Sequence, residues 1–223
     1  MAALDPSPIL ISVRTASAAI CVTFFLGLFA AKAVSDIKNK YIKIVVDALL
    51  TLPLVLPPTV AGFFLLYVFG ARGPVGAFFL DVFAVQIAFS WGATVLAAVA
   101  ISFPLMYRSS LGALEQVDRN LLYAGRTLGM SETKIFFAVT LPTALPGIAS
   151  GAILAFARGL GEFGATAMIA GNIAGKTRTV PLAIYSAVAG GDMDTGYRYV
   201  LVIVIFSFCI VALMHYFTAR EKK

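Results

Sequence analysis

The sequence has little of what enzymes and disulfide-stabilised domains need. Its 223 residues include two cysteines and one histidine, too few for a disulfide framework or for the clustered ligands of a metal site. Cys21 and Cys209 each fall inside an apolar run, where cysteines usually pack as small hydrophobic residues. A single histidine also leaves no base for an activated nucleophile. We therefore expect no catalytic residues, no metal and no cofactor on this chain, and a protein that is not an enzyme.

Charge is scarce as well. Charged residues make up 13% of the chain and hydrophobic residues 60%, with a mean hydropathy of +0.93. This balance excludes an ordinary soluble domain and predicts an integral membrane protein. A membrane-crossing helix needs about 20 mostly apolar residues. Five such spans are predicted in one all-α transmembrane domain over residues 1–223, at about 12–33, 45–70, 82–107, 140–170 and 198–218, and the apolar piece 163–174 is expected to continue the fourth span.

The basic residues predict how the chain is oriented. Lysine and arginine follow the first span, follow the third span and end the chain, at Lys32, Lys38, Lys40, Lys43, Arg108, Arg119, Arg126, Lys134, Arg220, Lys222 and Lys223. Because basic residues near span ends stay on the cytoplasmic side, we expect a multi-pass protein of the cytoplasmic (inner) membrane, embedded in lipid. Its N-terminus lies outside and its C-terminus inside. With no basic patch interleaved with aromatic residues, no nucleic-acid partner is expected.

Residues 171–177, GNIAGKT, superficially look like a phosphate-binding loop. The two glycines are one residue too close for that motif, and no strand precedes them. The orientation also places this segment outside the membrane. The chain is therefore not expected to bind a nucleotide, and energy for any transport must come from a partner or from a gradient.

Proline and glycine are concentrated in the second and fourth spans, where they bend helices and let backbones approach closely. They indicate either ordinary packing within one subunit or the moving interface of a pathway. Arg158 and Glu162, four residues apart, share a helix face and form either an internal ion pair or a gate for an anion. The pathway candidates are Pro57, Pro58, Gly151, Arg158, Glu162 and Gly164.

Three basic residues on the predicted outer side form a further candidate site. Lys176, Arg178 and Arg198 either attract an anion or hold an outside binding protein, or they belong to a solvated loop, and Lys176 and Arg178 are the candidates for the binding-protein contact.

Residues 115–142, EQVDRNLLYAGRTLGMSETKIFFAVTLP, form a charged amphipathic stretch between spans. Leu114, Val117, Leu121, Ala124 and Leu128 recur at helical spacing, which predicts one apolar stripe with Arg119 and Arg126 outside it. Gly129 is expected to end this helix. Ser131 is expected to cap the next one, with Glu132 in its first turn.

The spacing in this stretch resembles the EAA loop of ABC importer permeases, which couples such proteins to an ATPase. It reads Tyr123-Ala124-Gly125, three residues, Gly129, nine residues, Val139, one residue, Leu141-Pro142. Tyr123 replaces a common Glu and Gly125 replaces Ala, so no salt bridge from the first position is expected. The residues that this resemblance assigns to ATPase coupling are Tyr123, Ala124, Gly125, Arg126, Gly129, Met130 and Ser131.

Three further segments resemble the molybdate permease subunit of type I ABC importers: residues 50–70, which contain LPLVLPP, residues 102–109, SFPLMYRS, and residues 141–188, which contain ARGLGEFGAT and KTRTVPLAIYSA. The resemblance implies a homodimer, two cytoplasmic ATP-binding subunits that hold ATP and Mg, and an extracytoplasmic oxyanion-binding protein. It also implies alternating access, with molybdate and tungstate not distinguished. A sulfate or thiosulfate permease is the main alternative. A gradient-driven anion carrier is another, but it would need no coupling loop.

Overall fold

A computed structural model of the chain describes residues 4–220, with side chains through residue 212. Every regular element in this part is helical, which confirms the all-α prediction. The helices are α1 (Ser7–Ser35), α2 (Lys40–Val55), α3 (Pro58–Phe69), α4 (Pro74–Phe83), α5 (Trp91–Glu115), α6 (Arg119–Thr127), α7 (Glu132–Ile135), α8 (Leu141–Leu160), α9 (Gly164–Ile169), α10 (Val180–Ala189) and α11 (Met193–Arg220). A single π-helical turn, Phe136–Thr140, joins α7 to α8.

Three long helices, α1, α5 and α8, pack against one another and form the centre of the molecule. Helices α1 and α5 run in the same direction, because Thr15 meets Thr94 and, eight residues later on both helices, Thr23 meets Ser102. These buried hydroxyl pairs have oxygen–oxygen distances of 2.9 and 3.3 Å. Hydrogen bonds of this kind hold apolar helices in register where no hydrophobic driving force acts between them.

Helix α8 runs antiparallel to α5 along a surface of small residues. A Cβ on Gly147 would lie 2.7 Å from the Cβ of Ala113, and a Cβ on Gly151 would collide with Ser109. As residue numbers rise along α8, the numbers of the residues that they contact on α5 fall, so the two helices are antiparallel. The glycines are therefore needed for the two backbones to approach this closely.

The second predicted span is broken. Helices α2 and α3 meet at a bend of 108°, at Leu56 and Pro57, where the prolines remove backbone donors and stop the helix. Among the described helices, four are long and apolar enough to cross a membrane, and a fifth span exists if this bent pair is one.

Two other predicted spans differ at their ends. The third is shifted, since α5 begins at Trp91, after a stretch in which Ala84 and Phe89 have positive φ. The fourth stops at Leu160, so the expectation that residues 163–174 continue it is wrong. Those residues begin with α9, which packs against α3 instead.

The bundle has two distinct ends. The loop end carries the C-termini of α1 and α5, the N-terminus of α8 and the loop between them. The far end carries the start of the chain and the start of α11, since the Tyr199 hydroxyl donates to the backbone carbonyl of Asp5 at 2.8 Å. The predicted basic residues Lys222 and Lys223 lie outside the described residues.

Candidate functional site

The connecting loop, residues 116–140, begins with a sharp change of direction at Asp118. The Asp118 carboxylate accepts a hydrogen bond from the backbone N–H of Asn120 at 2.9 Å and caps α6. Helix α6 then lies on α7 through its one buried residue, Gly125, where an added Cβ would be 3.0 Å from Ile135 Cγ1. A side chain at this position would therefore require the Ile135 side chain to shift by a few tenths of an ångström.

A capping motif at Gly129 fixes the turn between α6 and α7. Gly129 has φ of +73°, its N–H donates to the carbonyl of Arg126 at 2.9 Å, and the Met130 N–H donates to the carbonyl of Gly125 at 3.1 Å. These two bonds define a Schellman motif, which favours glycine at the left-handed position. Ser131 Oγ then accepts from the backbone N–H of Lys134. Both sequence predictions, the end of α6 and the cap of α7, are confirmed.

The predicted continuous apolar stripe is wrong. Leu114 and Val117 precede α6 and are buried in the core cluster beside Met106 and Ile148. On α6, Leu122 is partly buried against the same cluster, but the other large apolar side chains are exposed, with Leu121 at 45%, Tyr123 at 55% and Leu128, just after the helix, at 79%. The break at residues 116–118 orients α6 so that Leu121, Ala124 and Leu128 are exposed on one side, and we call this surface the outer face of α6. Tyr123 is exposed on the other side, with its ring centre 5.7 Å from the Arg126 guanidinium.

The opposite side of α6 is basic and covers a cleft of about 440 Å³ at the loop end. Arg126 donates from Nε and one terminal nitrogen to the Glu132 carboxylate, at 2.7 and 3.1 Å. This hydrogen-bonded pair raises the pKa of Arg126 above its ordinary value and joins α6 to α7. On α1, Lys32 pairs with Asp36 at 2.6 Å and lies 5.1 Å from the centre of the Phe136 ring. The loop is therefore braced within itself and against α1.

Helix α2 is held to α5 by polar contacts that the sequence analysis did not identify. Asp47 accepts hydrogen bonds from the Tyr107 hydroxyl at 2.9 Å and from Arg108 at 2.8 Å. Lys43 pairs with Glu115 at 2.6 Å. None of the described side chains of α2 is fully buried, and only Val46 and Leu50 pack, partly buried, against the core cluster. These polar pairs therefore add to limited apolar packing in holding the helix. The partners are about 60 to 70 residues apart in sequence, and no local pattern reveals them.

The structure brings some pathway candidates together and separates others. An added Cβ on Gly164 would lie 3.0 Å from the Cβ of Pro58. The break between α8 and α9 therefore lies against the break between α2 and α3. Gly62 and Ala165 continue this contact between α3 and α9, where an added Cβ would be 2.7 Å from Cα. Gly151 instead lies in the α5–α8 contact.

Arg158 and Glu162 form the ion pair that their four-residue separation predicts. The prediction that they share a helix face is wrong, because α8 ends at Leu160 and Glu162 lies in the break that follows. An Arg158 terminal nitrogen lies 2.8 Å from Glu162 Oε2, and Glu162 Oε1 accepts from the backbone N–H of Ala165, also at 2.8 Å. Glu162 is 2% exposed, whereas the Arg158 side chain is 32% exposed. Among the described residues, Oε2 has no partner with hydrogen-bond geometry, so its contact with Arg158 is ionic. The carboxylate is sealed inside and the guanidinium is partly open.

At the far end, Lys176 and Arg178 differ in their surroundings. Arg178 donates to the Asn172 side chain at 2.8 Å, Asn172 donates to Ser186 at 2.6 Å, and the group borders a cleft of about 380 Å³. Lys176 is exposed. Arg178 is thus fixed in position, while Lys176 projects from the surface.

A second polar groove lies between the loop-end halves of α5 and α8. It has a volume of about 550 Å³, and its polar lining consists of Arg108, Ser109, Gln116 and Thr143. Charged and amide side chains do not face acyl chains in membrane helices. This side of the bundle therefore faces water or another protein.

Comparison of the chain with known proteins gives a match to one protein family. The family model described as binding-protein-dependent transport system inner membrane component matches residues 23–223. The molybdenum transport system permease protein ModB of Escherichia coli K12 is 42% identical over 215 residues, 96% of this chain and 93% of its own. The ModB of Haemophilus influenzae is 38% identical over 222 residues, 99% and 96% of the two chains.

Solved structures match the fold at low sequence identity. A chain of the MetNI methionine ABC transporter superposes with a TM-score of 0.76 at 16% identity, over 97% of this chain and 95% of its own. A chain of a bacterial ABC transporter that imports alginate gives 0.79 at 13% identity, over 100% and 82% of the two chains. These likenesses concern the fold alone.

Proposed function

Because the chain belongs to the family of binding-protein-dependent transport system inner membrane components, we propose that it is the transmembrane permease subunit of an ATP-driven importer of molybdate. It is a non-catalytic membrane subunit. Molybdate follows from the two ModB relatives, each aligned over more than nine-tenths of this chain. Tungstate, an ion of the same charge and similar size, is a second expected substrate.

The observation that carries the proposal is the outer face of α6. A helix in a folded domain normally buries its apolar side, yet Leu121 and Leu128 are exposed at the loop end, and so is Tyr123 on the other side of the helix. An exposed apolar surface rimmed by polar residues is typical of a protein–protein contact. We assign it to a cytoplasmic ATP-binding subunit, which binds ATP and Mg, with one such subunit for each of two copies of this chain.

Within this contact the residues have different roles. Tyr123, Ala124 and Leu128 lie on the exposed surface and meet the ATPase, and Arg126 holds the loop through Glu132. Gly125 is buried against Ile135, and Gly129, Met130 and Ser131 form the turn and cap between the helices. These last four residues position the contact rather than make it.

The pathway is assigned to the side of the bundle that carries the polar groove, facing a second copy of the chain. Arg108, Gln116 and Thr143 line the inner part of this face. The helix breaks near Pro58 and Gly164 lie farther from the loop end of the bundle. At the far end, Lys176 and Arg178 are proposed to contact an extracytoplasmic oxyanion-binding protein.

Uptake measurements test the proposed substrate. The chain, its ATPase and its binding protein are reconstituted in liposomes, and uptake of molybdate, tungstate and sulfate is compared with and without ATP. We expect molybdate and tungstate to accumulate only with ATP, and sulfate much more slowly. Preference for sulfate would overturn the choice of ion, and uptake without ATP would indicate a gradient-driven carrier.

Labelling tests the orientation. Leu128→Cys places a thiol on the outer face of α6, and a membrane-impermeant maleimide should reach it only from the cytoplasmic side. Bound ATPase should protect it. Labelling from outside would contradict the coupling role of this loop, and the unsubstituted chain, with Cys21 and Cys209, serves as the background control.

A further inference from the structure

We propose that Glu162 is a built-in substitute for the transported oxyanion: it keeps Arg158 neutralised so that the pathway contains no tight anion site. This inference rests on the proposed function, because it requires an oxyanion to pass the guanidinium. It assigns a role to the ion pair beyond holding α8 in place.

The first support is the asymmetry of the pair. Glu162 is 2% exposed and the Arg158 side chain is 32% exposed. A pair that served only to join two helices would have no reason to leave its cation partly open. Because a charge facing acyl chains is costly, a partly open guanidinium in a membrane-crossing helix faces water, a pathway or another protein, and we assign it to the pathway.

The second support is the chemistry of the contacts. The Glu162 carboxylate receives one guanidinium at 2.8 Å and one backbone N–H, that of Ala165, at 2.8 Å. Guanidinium groups and backbone N–H groups are also the donors that proteins use for tetrahedral oxyanions. Glu162 therefore occupies, with its own carboxylate, donors that would otherwise be available to a passing dianion.

The third support is location. Arg158 is 17 residues from the start of α8, or about 26 Å along the helix axis, and so lies toward the far end of the span. Glu162 falls in the break between α8 and α9, and Ala165, whose N–H it accepts, packs against Gly62 of α3. The pair therefore lies beside the junction of the two broken helices.

The pairing of Arg158 with Glu162 meets a requirement of transport. A transported ion must bind strongly enough to enter and weakly enough to leave. An unpaired arginine at this depth would hold a dianion, whereas an arginine already paired with a fixed carboxylate offers only weak, transient attraction. Affinity would then reside in the separate binding protein.

Removing the carboxylate tests this directly. In Glu162→Gln, Arg158 loses its counter-charge, and we expect the purified transporter, without binding protein, to gain saturable binding of radiolabelled molybdate. The affinity should exceed that of the unsubstituted transporter by at least about tenfold, equivalent to 1.4 kcal/mol. Molybdate should raise the melting temperature of the variant only, and ATP-dependent uptake should fall because the ion is retained.

Two control variants make the result specific. Arg158→Gln combined with Glu162→Gln removes both charges, and the gained binding should disappear. Asp81→Asn makes the same acid-to-amide change at an exposed residue of α4, and it should change neither binding nor uptake. If Glu162→Gln does not assemble, Glu162→Asp shortens the carboxylate by one methylene and should give a smaller gain in binding.

The outcomes separate this inference from the proposed function. If the unsubstituted transporter imports molybdate but Glu162→Gln, or Glu162→Asp in its place, gains no binding, the inference fails and the function stands. Equal binding by the single and double variants would also overturn it. If sulfate proves to be the imported ion, the proposed substrate is wrong, and the same binding series with sulfate still decides the role of Glu162.

Discussion

Replacing Gly129 with valine should uncouple transport without unfolding the protein. Gly129 has φ of +73°, and no described heavy atom lies within 4 Å of a built Cβ. The substitution therefore introduces backbone strain but no collision. A residue other than glycine in this region costs about 1–3 kcal/mol, and a β-branched side chain belongs at the upper end.

The magnitude follows from the capping motif. With a cost of about 2–3 kcal/mol, the observed turn becomes about 30- to 160-fold less favoured relative to a displaced one. A displaced turn loses the hydrogen bonds from Gly129 to Arg126 and from Met130 to Gly125. Helix α6 then no longer has a fixed angle to α7, and the outer face of α6 cannot be held toward the ATPase.

The chain contains a closely matched control in Gly191. It follows α10 with φ of +78° and open space around it. Its hydrogen bonds repeat the same motif, from Gly191 to Val188 at 3.1 Å and from Asp192 to Ala187 at 2.9 Å. Gly191→Val should therefore introduce similar strain at the far end of the bundle, away from the proposed ATPase contact.

The assay compares the two variants in reconstituted transporters. Both should lose a similar amount of thermal stability in detergent, but only Gly129→Val should lose ATP-dependent uptake and co-purify with less ATPase. Unchanged uptake in Gly129→Val would refute the proposed role of the turn. Equal loss in both variants would show that strain alone, and not its position in the loop, impairs transport.

Three further substitutions test other contacts. Gly62→Ala should lower stability in a thermal-unfolding assay by about 1–3 kcal/mol, because its Cβ would be 2.7 Å from the Ala165 Cα. The control Gly161→Ala, whose nearest neighbour would be 3.7 Å away, should not lower stability. Equal effects of the two variants would contradict the close packing at Gly62. Asp47→Ala should cost about 1–3 kcal/mol by leaving the buried Tyr107 hydroxyl unpaired, whereas Asp47→Asn, which keeps an acceptor, should cost less. Arg126→Glu should reduce ATP-dependent uptake. The double variant Arg126→Glu with Glu132→Arg should restore uptake, because the swap rebuilds the ion pair between α6 and α7. If uptake does not recover in the double variant, Arg126 is assigned to the ATPase contact itself.

Features set by local chemistry could be predicted from the sequence. The end of α6 at Gly129 and the cap at Ser131 depend on neighbouring residues only, and the structure has both. The ion pair between Arg158 and Glu162 was indicated by their four-residue separation, although Glu162 lies just beyond the end of α8. The prolines indicated a bend in the second span, but its angle of 108° depends on how α3 packs against α9.

Features set by distant contacts could not. Helical periodicity shows that apolar residues share a face but not whether that face is buried, so Leu114 and Leu128 looked alike although one is in the core and the other is exposed. The pairs Lys43–Glu115 and Asp47–Arg108 join helices far apart in sequence. Their formation depends on how α2 lies against α5, which no sequence window contains.

The same contacts explain how a short loop could act on the far end of the bundle. Helix α6 is joined to α7 by Gly125 and by Arg126, and α7 continues through one π-helical turn into α8. Helix α8 contacts α5 through small side chains, which allow close approach but present little to interlock. A displacement of the outer face of α6 should therefore tilt α8 as a unit, and the far end of α8 carries Arg158, next to the break that holds Glu162.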